Sequence, residues 1–366
     1  VGLGQGAVEG VAVSRQFWRD KRVFVTGHTG FKGSWLALWL TDMGAKVYGY
    51  ALAPPSEPNL FTVADVPARL AGHTLADLRD GEALLAAIQA ARAEIVFHLA
   101  AQSLVRPSYT APVETYAVNV MGTVNLLEAV RNTVGVSAVV NVTTDKCYEN
   151  REWVWPYRED EALGGFDPYS SSKACSELVT AAYRRSFLAS AGVQLASARA
   201  GNVIGGGDWA VDRLVPDFLR ALDAGEELVI RSPQAIRPWQ HVLEPLSGYL
   251  ALAERLATEG ERFAEAWNFG PDEADAKPVA WIVDYLCGRI PGAAWRLDAS
   301  VQPHEAYTLR LDSSKARARL DWRAHWDLRT ALDMTLGWHQ AWQHGLAMAD
   351  VTLRQIRDYE AAVQAT

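Results

Sequence analysis

Tyr169 and Lys173 stand four residues apart in Y-S-S-S-K, a spacing that stacks two side chains on one face of a helix. An ammonium beside a phenol favours the phenolate, so the pair reads as a base able to take a hydroxyl proton near neutral pH. Upstream, Thr144, Asp145 and Lys146 set a hydroxyl, a carboxyl and an amine in succession, a second acid/base team. Earlier still, G-H-T-G-F-K-G places Gly27, Gly30 and Gly33 between a short apolar run and a longer one, with Thr29, Phe31 and Lys32 inside the loop. Glycines in that context let backbone N–H groups at a helix N-terminus close on a pyrophosphate. Together the segments describe alcohol oxidation by hydride transfer to a nicotinamide, with further proton transfers at the same place.

Such groups need rigid elements to hold them. Hydrophobic patterning predicts strands over Arg22–Thr26, Lys46–Leu52, Glu94–Leu99, Ala138–Val142 and Gln194–Arg199, and helices over Phe31–Met43, Gly81–Ala91, Pro112–Asn132 and Pro168–Ser190. Strands alternating with crossover helices imply an α/β fold, a doubly wound parallel sheet with its ligand at the carboxyl ends of the strands. The glycine loop follows the first of these strands and opens the first helix. His98, Leu99, Ala100 and Ala101 line the cofactor where another strand ends, and Asp77 with Leu78 is placed to meet the adenine. An acid for the adenosine ribose is expected about 20 residues past the loop, yet Val47–Pro55 holds neither an acid nor an arginine for a 2′-phosphate. Lys32 is assigned to approach that ribose, which leaves NAD against NADP open on the residues alone.

After Gly201 the alternation breaks up. Gly205–Gly207, tryptophan-rich segments near Trp209 and Trp239, and scattered prolines imply a smaller C-terminal substrate lobe with a helical tail from about Trp326 to Gln364. The expected division is a leader over 1–16, a dinucleotide-binding domain over 17–200 with a returning segment near 237–270, and a substrate lobe over 201–236 and 271–366. The opening glycines have neither a strand before them nor an apolar helix after them, so they are read as a flexible leader rather than a second cofactor loop.

Composition fits a folded enzyme of 366 residues, 49% hydrophobic and 21% charged. A net charge of -8 argues against a nucleic-acid partner, and no apolar run is long enough to span a membrane. Three cysteines without C-x-x-C spacing suit the reducing cytoplasm, and the histidines show no metal-binding pattern.

In V-T-G-H-T-G-F-K-G-S-W-L, V-T-T-D-K-C-Y-E-N, P-Y-S-S-S-K-A-C-S-E-L, A-G-N-V-I-G-G-G-D-W and I-R-P-W-Q-H-V-L-E-P-L, the chain resembles the extended short-chain dehydrogenase/reductases that modify nucleotide sugars. The resemblance runs from about Phe17 to the C-terminal helix. It implies a Rossmann-type fold, bound NAD, Asn119 among the cofactor residues, and a homodimer or homotetramer. The implied reaction is a 4,6-dehydration of CDP-glucose: Tyr169, with Lys173 and Thr144, handles the 4-hydroxyl, Asp145 acts as the acid for loss of the 6-hydroxyl, and Lys146 as the base at carbon 5. Lys146 stands where some relatives carry glutamate, and the other reading is that it only pairs with Asp145 and positions it. Substrate contacts are expected from Asn202 and Arg237, and more weakly from Ser103, Arg106, Arg213, Trp239 and His304, any of which is also an ordinary surface or packing residue. A nucleotide-sugar 4-epimerase would share the Tyr/Lys pair without needing Asp145 and Lys146, and a non-catalytic dinucleotide sensor would be expected to have lost it.

Overall fold

The computed structural model describes residues 13–298, 300 and 307–365. Among the described residues thirteen strands form, β1 (Arg22–Thr26), β2 (Lys46–Ala51), β3 (Gly72–Leu75), β4 (Ile95–His98), β5 (Ala138–Val142), β6 (Gln194–Ala200), β7 (Val203–Ile204), β8 (Leu228–Ile230), β9 (Ile236–Pro238), β10 (Gln240–His241), β11 (Ala266–Phe269), β12 (Ala276–Pro278) and β13 (Trp295–Leu297). Seven of them make one sheet in the order β11-β6-β5-β4-β1-β2-β3, and every pairing in it is parallel. Central strands such as β5, A-V-V-N-V, are buried at every position, because helices cover both faces of a parallel sheet. The strand order reverses between β1 and β4, and that reversal opens the crevice in which such sheets bind ligands.

The α-helices are α1 (Arg15–Trp18), α2 (Phe31–Asp42), α3 (Leu60–Val63), α4 (Gly81–Ala91), α5 (Val105–Thr110), α6 (Pro112–Tyr116), α7 (Gly122–Arg131), α8 (Pro168–Tyr183), α9 (Leu214–Ala224), α10 (Leu243–Glu259), α11 (Val279–Arg289), α12 (Ser314–Arg319), α13 (Leu328–Gln343) and α14 (Met348–Gln364). Helix α2 is buried on almost every side; it packs on the sheet and is itself covered by α10 and α14, which accounts for a sequence apolar all round. Trp35 Nε1 donates to the Gly206 carbonyl at 2.9 Å, and Trp39 Nε1 donates to Glu360 Oε1 at 2.8 Å. No described helix is long and apolar enough to cross a membrane.

The expected helix Pro112–Asn132 forms as α6 and α7 joined by a π-helical turn at Ala117–Met121. Two sheet strands escape the sequence reading. β3 is a short, largely exposed edge strand, and β11, A-W-N-F, lies in a stretch without period, its place fixed by pairing with β6. At the other end, Ser14 caps α1 by accepting from Phe17 N at 3.2 Å, and Arg15 pairs with Asp42 and Glu360, so the last residues assigned to a leader are docked on the fold; residues 1–12 lie outside the description. Beyond Gly201, the pairs β7/β10, β8/β13 and β9/β12 combine with α9, α11 and α13 around Val215, Phe218, Trp239, Ile282 and Leu332.

Candidate active site

The glycine loop joins β1 to α2 as expected. A Cβ on Gly33 would meet the Gly27 carbonyl oxygen at 2.1 Å, and one on Gly27 would meet Ala100 N at 2.7 Å, so only glycine allows the loop, the first turn of α2 and the end of β4 to nest so closely. Gly30 is the N-cap and offers no side chain to the first-turn N–H groups, which leaves them as donors for an anionic group. Thr29 Oγ1 donates to the Leu52 carbonyl at 2.9 Å, tying the loop to the end of β2. Leu99 N and Ala100 N both donate to Thr26 Oγ1 at 3.2 Å. These residues fit a dinucleotide laid across the β1/β4 crevice.

Asn119 sits in the wide π-helical turn and binds two elements at once. It accepts from Gln102 N at 2.8 Å, donates to the Gln102 carbonyl at 3.0 Å and donates to Ser172 Oγ at 2.9 Å. The loop after β4 is thereby pinned to α8. Asp77 takes a bidentate pair of bonds from Arg79, which holds its carboxyl below the usual carboxylate range, while Leu78 beside it is buried.

Helix α8 aims the catalytic pair. Asp167 caps it by accepting from Ser170 N at 2.9 Å, and Tyr169, Lys173 and Glu177 follow one another on a single face. Glu177 anchors that face: it accepts from Thr143 Oγ1 at 2.5 Å and Ser197 Oγ at 2.6 Å, and pairs with Arg199 at 2.9 Å with both side chains buried. Lys173 Nζ donates to the Val142 carbonyl at 3.4 Å, and burial pushes its pKa down to about 8 against the pull of Glu177. Burial pushes the Tyr169 phenol up to about 12, with the Thr144 hydroxyl pulling the other way, while the Lys173 ammonium donates to a backbone carbonyl.

Thr144 joins the two acid/base teams. Its hydroxyl donates to Asp145 Oδ1 at 3.0 Å and pulls the Tyr169 phenol downward in pKa. Asp145 is buried, which favours its protonated form against the cations Lys146, Arg237 and Lys32, and its Oδ2 has no hydrogen-bond partner. Lys146 follows in the same 3₁₀ turn, partly exposed, its backbone N–H donating to Thr144 Oγ1 at 3.3 Å.

The expected substrate residues divide. Arg213 reaches both Asp208 at 2.8 Å and Ser103 Oγ at 3.1 Å, and Arg106 faces Asp212 at 3.6 Å, so Ser103, Arg106 and Arg213 gather on one rim of the cleft. Asn202 lies between β6 and β7 with its carbonyl accepting from Gln240 N. Arg237 is buried, donates to the carbonyls of Ile236 and Tyr307 at 2.9 and 3.2 Å, and acts electrostatically on Asp145. Trp239 is buried in the second lobe, and its indole N–H donates to the Lys277 carbonyl at 3.0 Å. His304 lies outside the described residues. The Lys32 ammonium turns toward Tyr249 of α10 and acts on the Asp145 region. Sequence reasoning missed Asp208, Tyr249 and the Glu177–Arg199 pair; the i, i+4 step from Lys173 to Glu177 was a readable signal for the last.

Residues 24–268 match the GDP-mannose 4,6 dehydratase family. A CDP-glucose 4,6-dehydratase of Salmonella typhimurium is 55% identical over 96% of this chain and 99% of its own length, and a dTDP-glucose 4,6-dehydratase of Streptomyces griseus is 28% identical over 89% and 97%. Among solved structures, a UDP-glucose 4-epimerase from Thermotoga maritima with UDP-glucose superposes with a TM-score of 0.75 at 23% identity over 88% of this chain and 99% of its own. A dTDP-glucose 4,6-dehydratase from Bacillus anthracis in complex with NAD gives 0.72 at 21% over 89% and 99%. Sequence identity along nearly the whole length, a family match across the sheet, and a shared fold agree: the chain belongs to the GDP-mannose 4,6 dehydratase family.

Proposed function

We propose that this protein is an NAD-dependent 4,6-dehydratase that converts CDP-glucose to CDP-4-keto-6-deoxyglucose and water. The observation that carries the reading is the placement of Thr144 between the two teams, its hydroxyl donating to Asp145 Oδ1 and acting on the Tyr169 phenol, in a chain 55% identical to a CDP-glucose 4,6-dehydratase. The dinucleotide supplies a carrier that holds a hydride between its removal from carbon 4 and its return to carbon 6. Residues of the glycine loop, Gly27, Thr29, Gly30, Phe31 and Gly33, with Leu99–Ala101, hold it against the sheet, and Asn119 orients the loop after β4. The absence of a basic cluster after β2 supports NAD over NADP.

Tyr169 takes the 4-hydroxyl proton, with Thr144 favouring the phenolate and burial opposing it. Lys173, near 8, keeps its charge through neutral pH. Asp145 has its protonated form favoured by burial, and its unpartnered Oδ2 is free to give that proton to the departing 6-hydroxyl. Lys146 takes the proton from carbon 5, which the neighbouring ketone has made acidic. Arg237, Asn202 and the rim formed by Ser103, Arg106 and Arg213 receive the nucleotide diphosphate.

The working assembly is a homodimer or homotetramer in the cytoplasm. Val113, Tyr116, Met121, Leu178 and Phe187, exposed along α6, the π-helical turn, α8 and the π-helix Arg184–Leu188 that follows it, support a second copy as what covers that surface. Incubation with CDP-glucose and NAD should yield a 4-keto-6-deoxy sugar nucleotide by mass and NMR, with dTDP-, UDP- and GDP-glucose turned over far more slowly. Formation of a 4-epimer that keeps its 6-hydroxyl, or equal turnover of dTDP-glucose, would contradict the assignment.

A further inference from the structure

The glycine loop carries a lysine that the steps above do not use. Lys32 stands in the first turn of α2, and its ammonium lies 5.9 Å from the ring centroid of Tyr249 on α10. Among the described residues it makes no hydrogen bond or ion pair. Two more polar atoms in this region lack hydrogen bonds, the Tyr249 hydroxyl and Asp145 Oδ2, both buried. The charged groups that act on Lys32 come from four directions: Arg213 and Lys173 oppose its charge, and Asp145 and Asp208 favour it. Burial is the largest influence and pushes the amine down to about 7, so near neutral pH it is divided between charged and neutral forms.

A half-buried ammonium without a counter-ion among the described residues is costly to keep, and its location suggests what it acts on. Tyr169 fixes where the substrate carbon bearing the reacting hydroxyl must sit, and the ring that accepts hydride from that carbon must touch it. Tyr249 and Asp145 act on Tyr169 as well as neighbouring Lys32, which sets the ammonium at the nicotinamide end of the crevice. Oxidation there moves a hydride, two electrons and a proton, from carbon 4 to the ring, while the hydroxyl proton goes to Tyr169. The ring passes from cationic to neutral in the process.

We propose that Lys32 is an electrostatic positioning residue that biases the bound dinucleotide toward its reduced form, because its positive charge opposes the cationic oxidised ring and leaves the neutral reduced ring unaffected. The proposal rests on the dinucleotide reading of the site, and binding alone tests it. Dissociation constants for NAD and NADH would be measured by calorimetry on the dinucleotide-stripped protein without sugar nucleotide, at about pH 6 and about pH 9. For the unaltered protein the NAD/NADH ratio of dissociation constants is expected to be higher at the lower pH and to fall as pH rises through about 7, since the amine is charged only below that value. Lys32→Met should lower the ratio about tenfold at the lower pH, leaving only the pH dependence that Lys173, near 8, contributes. Lys32→Arg, charged at every pH, should keep a high ratio at the lower pH. A ratio that stays within about twofold of the unaltered protein at the lower pH in Lys32→Met, or one as low in Lys32→Arg as in Lys32→Met, overturns the proposal. Failure of CDP-glucose turnover would instead count against the dehydratase reading and leave this comparison intact.

Discussion

At the scale of single residues, the proposed mechanism separates proton handling at carbon 4 from that at carbon 5, with Thr144 as the shared member. Tyr169→Phe should stop the first hydride transfer, since no hydroxyl remains to take the proton. Lys146→Ala should leave that step in place and stall elimination. The expected signature is absorbance of reduced nicotinamide that accumulates on adding CDP-glucose, with loss of solvent deuterium incorporation at carbon 5 and a fall in overall turnover of at least about 100-fold. Near-normal dehydration and exchange in the lysine variant would move the base elsewhere and leave Lys146 as a partner of Asp145. The residue types and spacing in Y-S-S-S-K and T-T-D-K made this set legible. Their pKa values were not, because spacing along a helix says nothing of desolvation: the phenol is set by burial and Thr144.

Among elements, α8 does the aiming, and its accuracy depends on Glu177 holding the helix to the ends of β5 and β6. Arg199 is nearly as buried as its partner, and it also donates to Tyr148 Oη at 2.7 Å and stacks over that ring at 4.9 Å. Removing the negative partner leaves a buried guanidinium uncompensated. Glu177→Gln should therefore lower unfolding free energy by about 3 kcal/mol, read from urea denaturation, and should weaken turnover through displacement of Tyr169 and Lys173. A change below about 0.5 kcal/mol would show that the pair is replaceable. The strand and helix alternation up to β6 was readable because each element is long enough to display its period. Strands β8, β9, β12 and β13 have three residues each and exist through pairing with distant segments, such as Arg237 opposite Lys277, so no local pattern announces them. The contact of Lys32 with Tyr249 and the burial of Trp239 were hidden for the same reason.

For the whole molecule, the joint between α10 and the C-terminal region gives stability a distinct pH dependence. Glu244 is buried at the start of α10 and accepts from His325 N at 3.1 Å, Trp326 N at 2.7 Å and Tyr359 Oη at 2.7 Å. Burial pushes its pKa up to about 7, above the usual 4.5, with those donors pulling the other way. Between these values the folded chain holds a proton that the unfolded chain has released, so this group's stabilising contribution is full below the lower value and declines as pH rises toward the upper one. The difference in unfolding free energy between the unaltered protein and Glu244→Gln should shift by about 2 kcal/mol against the unaltered protein on going from about pH 4.5 to about pH 7.5. A difference that does not change with pH would mean that the folded and unfolded chains bind this proton alike.

The cover that α14 lays over α2 also has a meaning for the order in which the chain is made. All seven strands of the main sheet have been synthesised once Phe269 is in place, yet the indole N–H of Trp39 finds Glu360, and its ring finds Tyr359 at 5.8 Å, only in the final helix. At roughly 5–20 residues per second, the ribosome takes several seconds to pass from one to the other. Throughout that interval the helix behind the glycine loop lacks the cover of α14 on a finished sheet, which leaves that face open to a chaperone or to a neighbouring chain.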